Sequence, residues 1–365
     1  MLGPFEREMV LRALESNFPN DGEFTEAFER EVAAICGTRF AVGVTSGTAA
    51  LFLAVAACDI GVGDEVIVPD LTFIATANAV RLAGANVVLV DVCRDNMTIN
   101  PAEVERAITS RTRAIVPVHV NGRSAGMKEL GSIASRNGLR IIEDAAGAFG
   151  VRVEGKALGS IGDLGCFSFA PSKIITTGQG GAVVTNEERL YWRLRELKDQ
   201  GRPVRGTGGA DEHHSLGFNF KLSNILAAVG LAQLRDLERR RDHLKSLYEW
   251  YRDGLSELNA IEVPAFRIER GEAPQWIDVL VKDRDGLADF LARIEIETRK
   301  FWYPLHTQAP YRLDGAKFPN SGYLSQHGLW LPSALSVSQA DVLEVCSAIA
   351  DFVGAGLPSD AHHRL

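Results

Sequence analysis

Residues 39–70 read RFAVGVTSGTAALFLAVAACDIGVGDEVIVPD, and the order of apolar segments in this stretch indicates the fold class. Two short β-rich runs, at residues 39–46 and 64–70, flank an alanine- and leucine-rich segment of helical character. Valine-rich runs favour strands, and a helical crossover is the usual link between parallel neighbours in one sheet. The stretch therefore predicts a strand–helix–strand unit.

The same alternation continues to residue 186. The further strand-like runs are NVVLVDV (86–92), RAIVPVHV (113–120), LRIIEDAA (139–146), LGCFSFA (164–170) and GGAVVTN (180–186). Segments of helical character separate the first five strands, at residues 47–60, 72–85, 101–110 and 126–138. The pattern predicts an α/β fold with a seven-stranded, mostly parallel sheet covered on both faces. Ligands of such sheets bind beyond the carboxyl ends of the strands.

The chain changes character after residue 186. A long helical region at residues 222–255 is followed by mixed strand and helix segments. We expect an N-terminal arm (1–20), a large domain (21–238) and a smaller C-terminal α+β domain (239–365). The charged run at residues 238–242 is predicted to be a solvated helix face. Residues 359–365 are predicted to be disordered, without a metal site at their two histidines.

Composition excludes several function classes. The 365 residues are 46% hydrophobic and 24% charged, with a formal net charge of −8, which argues against a general nucleic-acid binder. No apolar run is long enough for a membrane span, and the N-terminus lacks a secretory apolar region, so we expect a cytoplasmic protein. The five cysteines have neither paired nor zinc-type spacing, which predicts half-buried thiols and no metal site.

Familiar catalytic motifs are missing from the sequence. The glycines of GVGDEV (61–66) precede a strand instead of following one, and GTGGAD (206–211) lacks the lysine of a P-loop. The sequence contains neither a G-x-S-x-G elbow nor an H-E-x-x-H helix. Dinucleotide, serine-hydrolase and zinc-protease chemistry are therefore poorly supported.

Four features at predicted strand ends carry chemical potential. Ser46-Gly47-Thr48 closes the first strand and opens a helix, where free N–H groups and two hydroxyls suit a phosphate; taken alone, the triplet is better explained as a plain helix N-cap. Glu143-Asp144 ends the fifth strand, where a buried acid needs a cationic partner such as a protonated pyridine nitrogen. Taken alone, the pair could equally form a salt bridge or a helix cap.

The other two features follow the sixth strand and precede the long helix. Lys173 stands five residues after Ser168, ahead of a glycine-rich turn, and burial would lower its pKa enough for nucleophilic attack on a carbonyl. A lysine on a surface loop is the plainer interpretation of the same residue. Asn219 precedes the long helix and would by itself be an ordinary turn residue.

Taken in order, the motifs resemble the DegT/DnrJ/EryC1/StrS family of sugar aminotransferases, which use pyridoxal 5′-phosphate (PLP). The resemblance covers nearly the whole chain and is carried by these segments: SGT (46–48), PDLTFIATANAV (69–80), VPVHV (116–120), EDAA (143–146), SFAPSK (168–173), TTGQGG (176–181), GFNFKLSN (217–224), FWYPLHTQAPY (301–311) and LPS (331–333). It implies the type I PLP-dependent transferase fold of the aspartate aminotransferase superfamily.

The resemblance also implies roles. Lys173 would bind PLP covalently and shuttle the proton during transfer, and Asp144 would pair with the pyridine nitrogen. Asn219 matches a residue that reaches the phosphate of the neighbouring subunit, which implies a homodimer with shared active sites. The expected cofactor-binding residues are Ser46, Gly47, Thr48, Phe73, Asp144, Ser168, Lys173 and Asn219. The expected substrate-binding residues are Trp302, Tyr303 and His306.

The sequence departs from the usual family pattern at four positions. These are Gly147 and Phe149, where polar side chains are common, Gln179 in the glycine-rich turn, and Lys221 in place of arginine. Family members that dehydrate sugars carry histidine in place of the lysine, so Lys173 favours amino transfer.

The expected reaction moves an amino group from L-glutamate to a keto-sugar, and the nearest resemblance is to enzymes that aminate a nucleotide-linked 4-keto-6-deoxyhexose for polysaccharide biosynthesis. Two alternatives stay open at this point. The acceptor could be another keto-sugar, either a 3-keto nucleotide sugar or an acidic one such as a Kdo derivative. The second alternative is a PLP-binding regulatory protein without turnover. The intact Asp144, Ser168 and Lys173 argue against it.

Overall fold

A computed structural model of the chain describes residues 3–202 and 211–354. The helices in these residues are α1 (Pro4–Glu15), α2 (Glu23–Cys36), α3 (Gly47–Ala57), α4 (Ala75–Leu82), α5 (Pro101–Ala107), α6 (Met127–Asn137), α7 (Glu188–Lys198), α8 (Asn224–Leu234), α9 (Leu237–Leu255), α10 (Arg284–Arg293), α11 (Pro319–His327) and α12 (Gln339–Gly354). The strands are β1 (Phe40–Val44), β2 (Glu65–Pro69), β3 (Asn86–Val90), β4 (Thr112–Ile115), β5 (Arg140–Asp144), β6 (Arg152–Val153), β7 (Lys156–Ala157), β8 (Leu164–Ser168), β9 (Gly181–Thr185), β10 (Ile261–Glu262), β11 (Ile277–Val281), β12 (Arg299–Lys300) and β13 (Gly328–Leu331).

The seven predicted strands form one sheet, in the order β1-β9-β8-β5-β4-β2-β3. Neighbours from β3 to β8 pair in parallel, and β9 is antiparallel to both β8 and β1. Only β9 therefore runs against the rest, which confirms the mostly parallel α/β sheet. Because β1, β5 and β8 run the same way, the residues at their carboxyl ends meet at one edge of the sheet.

Both faces of this sheet are covered by helices. Alternate residues of β1 enter different clusters: Ala41 packs with the cluster that holds α2 and α8, whereas Val42 packs with α3, α4 and α7. The α3 segment is apolar around its whole circumference, since it is buried between the sheet and its neighbouring helices. This double burial explains why the central strands are continuous apolar runs.

A second, antiparallel sheet has the order β10-β11-β13-β12. Helices α9 and α12 pack in one core cluster with β11 and β13. Strands and helices after residue 255 thus form the α+β region that the sequence predicts. The division at residues 238 and 239 falls inside α9 and stays a prediction.

Two expectations about helices are wrong in detail. The region predicted as one long helix is two helices, with Arg235 and Asp236 between them. The solvated face predicted at residues 238–242 holds only in part, because Arg240 is buried and donates from Nη1 to the carbonyl oxygen of Ile174, 3.0 Å away. Arg240 thereby contacts the loop that carries Lys173.

Other expectations concern the cysteines and the chain ends. All five cysteines are free thiols, and each is buried or half-buried, as predicted. The predicted arm contains α1, which packs on α8. The tail at residues 359–365 lies outside the described residues. Within residues 3–202 and 211–354, no helix is long and apolar enough to cross a membrane, and no cluster of three metal-ligating side chains occurs.

Candidate active site

A cavity of about 300 Å³ opens where the carboxyl ends of β1, β5 and β8 meet. Six of its lining residues, here called the strand-end cluster, come from these strand ends and the loops after them: Ser46, Gly47, Thr48, Asp144, Ser168 and Lys173. Three tryptophans of the second sheet region, here called the aromatic wall, line it as well: Trp276, Trp302 and Trp330. The volume is in the range of small-molecule sites.

The start of α3 supplies hydrogen-bond donors. Ser46 is the N-cap, and its Oγ accepts from the N–H of Ala49 at 3.1 Å. The first intrahelical bond joins the N–H of Ala50 to the carbonyl oxygen of Ser46, so the N–H groups of Gly47 and Thr48 precede the helical ladder. Such N–H groups, with the positive end of the helix dipole, form an anion site.

Gly47 is required there by close packing. A Cβ atom on Gly47 would lie 2.7 Å from Cβ of Ser168, a separation shorter than real Cβ atoms show. The absence of a side chain brings the hydroxyl of Ser168 next to the start of α3. Three hydroxyls and two backbone N–H groups therefore lie together, and this donor set fits a phosphate.

The two neighbouring acids at the end of β5 have different surroundings. Glu143 is fully buried and accepts hydrogen bonds from the N–H groups of Gly159, Ile161 and Gly162. Nε2 of His119 lies 2.7 Å from the same carboxylate. Since Nδ1 of His119 accepts a hydrogen bond from the N–H of Ala125, the ring hydrogen is on Nε2, which donates a hydrogen bond to Glu143. Glu143 is thus saturated by protein donors.

Asp144 keeps acceptor capacity for a ligand. Its Oδ2 accepts from the hydroxyl of Thr76 at 2.7 Å, and its Oδ1 accepts from the N–H of Ala146 at 3.1 Å. Burial raises the pKa of Asp144, while these hydrogen bonds and the charge of Lys173 act in the opposite direction. A cationic ring nitrogen in the cavity would favour the ionised carboxylate further.

Lys173 reaches the same cavity from the loop after β8. Burial of its amino group lowers the pKa of Lys173 to about 8, the carboxylate of Asp144 opposes the shift, and the charge of Arg299 adds to it. Nζ lies 4.7 Å from the ring centroid of Trp276. More of this amine is therefore neutral near pH 7 than for a free lysine, and only the neutral form can attack an aldehyde.

The aromatic wall is a packed unit with Trp330 at its centre. The Trp330 ring lies 5.1 Å from that of Trp276 and 5.2 Å from that of Trp302. Nε1 of Trp330 donates to the buried carboxylate of Asp278, which also accepts from Asn121 and from the buried Arg123. This buried hydrogen-bond network holds the Trp330 ring, and with it the aromatic wall, in place.

Two of the family departures have different consequences. Gly147 lines the cavity, and a Cβ atom there would lie 3.5 Å from the backbone nitrogen of Asn121, so the position has room for a side chain that this chain lacks. Phe149 is buried in the core, where it packs edge-on against Phe167 and Phe169. The departure from the family pattern at Phe149 therefore affects core packing and not the cavity lining.

The remaining two departures lie outside the cavity lining. Lys221 forms an ion pair with Asp199, and Gln179 is exposed. Neither contacts a member of the strand-end cluster among the interactions of the described residues.

Eight of the eleven predicted site residues line the cavity. They are the strand-end cluster together with Phe73 and Trp302. Phe73 is 52% exposed, which leaves its ring face available for stacking on a flat ligand. The structure brings these side chains together, and their individual roles stay predictions.

Three predicted residues are not part of the cavity lining. Asn219 is exposed and forms an isolated bridge with Asp199. Tyr303 is 61% exposed. Nδ1 of His306 lies 2.7 Å from the buried carboxylate of Asp70, which leaves Nε2 as the nitrogen available to a ligand.

Sequence reasoning assigned no role to several residues of the site. His119 follows β4 in the quoted VPVHV motif, and the strand-end logic applied to Asp144 could have found it. Thr76 is the second residue of α4, the helix after β2. Trp276, Trp330 and Arg299 come from short or irregular elements of the second sheet region, and their convergence on the cavity has no local sequence signal.

The donor set fits PLP. The start of α3 and the three hydroxyls suit its phosphate, Asp144 suits its ring nitrogen, and the amine of Lys173 suits its aldehyde. Phe73 offers a ring face. A phosphate, a basic ring and an aldehyde in one ligand thus match the three kinds of group in one cavity.

Comparisons with known proteins agree with this chemistry. A family model described as the DegT/DnrJ/EryC1/StrS aminotransferase family matches residues 2–350. The chain is 37% identical over 356 residues to a GDP-perosamine synthase of Caulobacter vibrioides, covering 94% of each chain. It is 35% identical over 351 residues to the GDP-perosamine synthase of Escherichia coli O157:H7, covering 95% of each.

A solved structure gives the same picture. DesV of S. venezuelae, in complex with a ketimine intermediate, superposes with a TM-score of 0.89 at 36% sequence identity. The alignment covers 95% of this chain and 94% of DesV. The similarity therefore extends over both sheets and over the residues that line the cavity.

Proposed function

Because the chain belongs to the DegT/DnrJ/EryC1/StrS aminotransferase family and uses PLP, we propose that it transfers an amino group from L-glutamate to a nucleotide-linked 4-keto-6-deoxyhexose. Two relatives named GDP-perosamine synthase, similar over nearly their whole length, support this class of acceptor. The proposed role is in polysaccharide biosynthesis, which the similarity to the Bacillus subtilis spore coat polysaccharide biosynthesis protein SpsC also supports.

One observation carries the proposal: a single cavity holds an amine of lowered pKa, a buried carboxylate and a helix N-terminus. Lysine amines on surface loops keep an ordinary pKa and have no buried acid beside them. The combination matches PLP chemistry, which uses all three groups at once.

When bound, PLP supplies an aldehyde that accepts the amino group and a ring that withdraws electrons from the reacting carbon. Asp144 would keep the ring nitrogen protonated through its carboxylate. The backbone N–H groups of Gly47 and Thr48, with the hydroxyls of Ser46 and Ser168, would hold the phosphate. These contacts fix the orientation of the cofactor before either substrate arrives.

Lys173 has two proposed tasks at Nζ. The neutral amine attaches the cofactor, which the lowered pKa favours because only the free base is nucleophilic. At Nζ, the same amine would also take up and return the proton that is moved during amino transfer. Its position in the strand-end cluster keeps it within the cavity throughout.

The acceptor sugar would lie against the aromatic wall. Indole rings offer flat apolar faces to the apolar face of a deoxyhexose, and Trp302 is half-buried with part of its surface in the cavity. We also assign Tyr303 and His306 to substrate binding. Asp70 holds Nδ1 of His306, so its Nε2 would face the substrate.

We further propose a homodimer with shared active sites in which Asn219 reaches the partner's phosphate site. In its own chain Asn219 is exposed and outside the cavity lining, and Leu11, Leu14 and Phe18 are exposed apolar residues near the N-terminus. Light scattering that gives a monomer mass at micromolar concentration would count against it. The cytoplasm is the proposed location, supported by five free cysteines.

The proposed reaction is tested in two halves. L-Glutamate added to the PLP-loaded protein should bleach the visible absorption of the bound cofactor and release 2-oxoglutarate. A panel of acceptors should then restore the absorption: 4-keto-6-deoxyhexoses on guanosine or thymidine diphosphate, a 3-keto nucleotide sugar, and an acidic keto-sugar without a nucleotide. Recovery with the acidic sugar alone would contradict the proposed acceptor, and no response to glutamate would favour a regulatory PLP-binding protein.

A further inference from the structure

Arg299 occupies a special place at the cavity. It begins β12 and pairs in register with Trp330 of β13. Its guanidinium carbon lies 5.2 Å from the centroid of the Trp330 ring, so the cation rests against the aromatic wall. Arg299 is exposed, yet it lines the same cavity as Lys173. The side chain of Arg299 thus contacts both the cavity and the solvent.

Arg299 has no acidic partner within the described parts of the chain. Its neighbour Lys300 pairs with Asp285 at 2.7 Å, and the nearby Arg284 pairs with the same carboxylate. No ion pair or hydrogen bond is found for the Arg299 guanidinium in residues 3–202 and 211–354. Two adjacent cations on one strand therefore differ: one is neutralised on the surface, and the other keeps its charge at the cavity.

The charge of Arg299 acts inside the cavity. It is one of the causes that lower the pKa of Lys173, which means that its field reaches the reactive amine. The lining residues then include two cations, Lys173 and Arg299, against the single carboxylate of Asp144.

We propose that Arg299 binds an anionic oxygen group of the substrates, holding it with the planar guanidinium against Trp330. The inference rests on the proposed function, in which both substrates are anions. The group would be the carboxylate of the amino donor or the diphosphate of the acceptor. Both accept paired N–H donors from a guanidinium, and a lysine ammonium reproduces the charge but not the planar fork.

The chain offers a matched pair of variants for the test. Arg299→Met and Lys300→Met each remove one cation from β12 while keeping an unbranched apolar stem. Both side chains are exposed, so both variants should fold, as circular dichroism would show. Arg299→Lys is the third variant, which keeps the charge without the fork.

Binding of two non-reacting probes to the PLP-loaded protein separates the sources of the anion. Calorimetry with glutarate reports the carboxylate, and calorimetry with guanosine diphosphate or thymidine diphosphate reports the phosphate. Loss of one charge-assisted pair should weaken the affected probe by about 10- to 100-fold in Arg299→Met, with an intermediate value in Arg299→Lys. Lys300→Met should stay within about twofold of the wild type.

Each outcome decides the proposal. Weaker glutarate alone assigns Arg299 to the donor carboxylate, weaker nucleotide alone assigns it to the phosphate, and weakening of both makes it a shared anion site. Equal affinities of Arg299→Met and Lys300→Met for both probes would overturn the proposal. A wild type that binds the probes through Arg299 but never responds to glutamate would instead refute the proposed function, so the two failures are distinguishable.

Discussion

The strand-end cluster and the aromatic wall line one cavity, but they are built differently. The cluster gathers polar residues that are far apart in sequence at the ends of parallel strands, and several of its groups are held by protein hydrogen bonds. The wall consists of rings from the second sheet region, with Arg299 beside them. Under the proposed function, the rigid polar cluster would hold the cofactor, while the apolar wall and the unpaired charge of Arg299 would remain for the substrate.

The largest effect should come from the cluster. We expect Lys173→Ala to lose covalent PLP and at least about 10⁴-fold in amino transfer, because it removes both nucleophile and proton carrier. The protein should stay folded, since burial already disfavours the charged amine. Single-turnover kinetics and the cofactor spectrum measure the loss. Lys156→Ala, at an exposed lysine of β7, is the control, and an equal spectrum in the two variants would refute the assignment.

The two acids of β5 offer a second contrast, because Asp144 belongs to the strand-end cluster and Glu143 does not. Asp144→Asn should lower the rate about 100-fold or more and leave thermal stability nearly unchanged, because its charge acts on the cofactor. Glu143→Gln should cost about 2–3 kcal/mol of unfolding free energy, because an amide nitrogen would face backbone N–H donors. Denaturant titration and kinetics on both variants test the contrast. The reverse pattern would exchange the roles.

A pH series tests whether Arg299, beside the aromatic wall, acts on Lys173 of the strand-end cluster. Only the neutral amine of Lys173 attacks an aldehyde, so the rate of PLP capture by apoprotein should rise about tenfold per pH unit and level off near pH 8. In Arg299→Met the levelling should move to higher pH, because one cause of the lowered pKa is gone. Stopped-flow capture rates measure this. Identical profiles would show that the two regions are electrostatically independent.

The smallest expected effect concerns Asn219, which belongs to neither region of its own chain. If it donates one hydrogen bond to the partner's phosphate site, Asn219→Ala should weaken PLP retention by about twofold to tenfold, since several other donors remain. Equilibrium dialysis of PLP at high and low protein concentration measures it. Wild-type affinity that does not change when the protein dissociates would argue against a shared site.

The strand-end cluster was largely predictable from the sequence. Parallel strands place their carboxyl ends at one edge, so Ser46, Asp144 and Ser168 had to converge once the seven strands were recognised. The turn at Arg235 and Asp236 and the burial of Arg240 were not predictable, because periodicity within a helix does not report what the next element packs against.

The aromatic wall was mostly beyond local sequence reasoning. Trp302 was singled out, but Trp276, Trp330 and Arg299 were not. The positions of Trp330 and Arg299 depend on the pairing of β12 with β13, a register of only two residues between segments about thirty positions apart. Such long-range pairing leaves no pattern within either segment. The alignment of Tyr303 and His306 with substrate residues came from family resemblance, and neither lines the cavity in the described chain.

The claim that Lys173 carries the vitamin-derived cofactor has one direct test. The PLP-loaded protein is reduced with borohydride, digested, and its peptides are weighed by mass spectrometry. We predict a phosphopyridoxyl mass on the peptide that contains Lys173, and on no other lysine at comparable occupancy. An unmodified Lys173 peptide, or the adduct at another lysine such as Lys221, would contradict it.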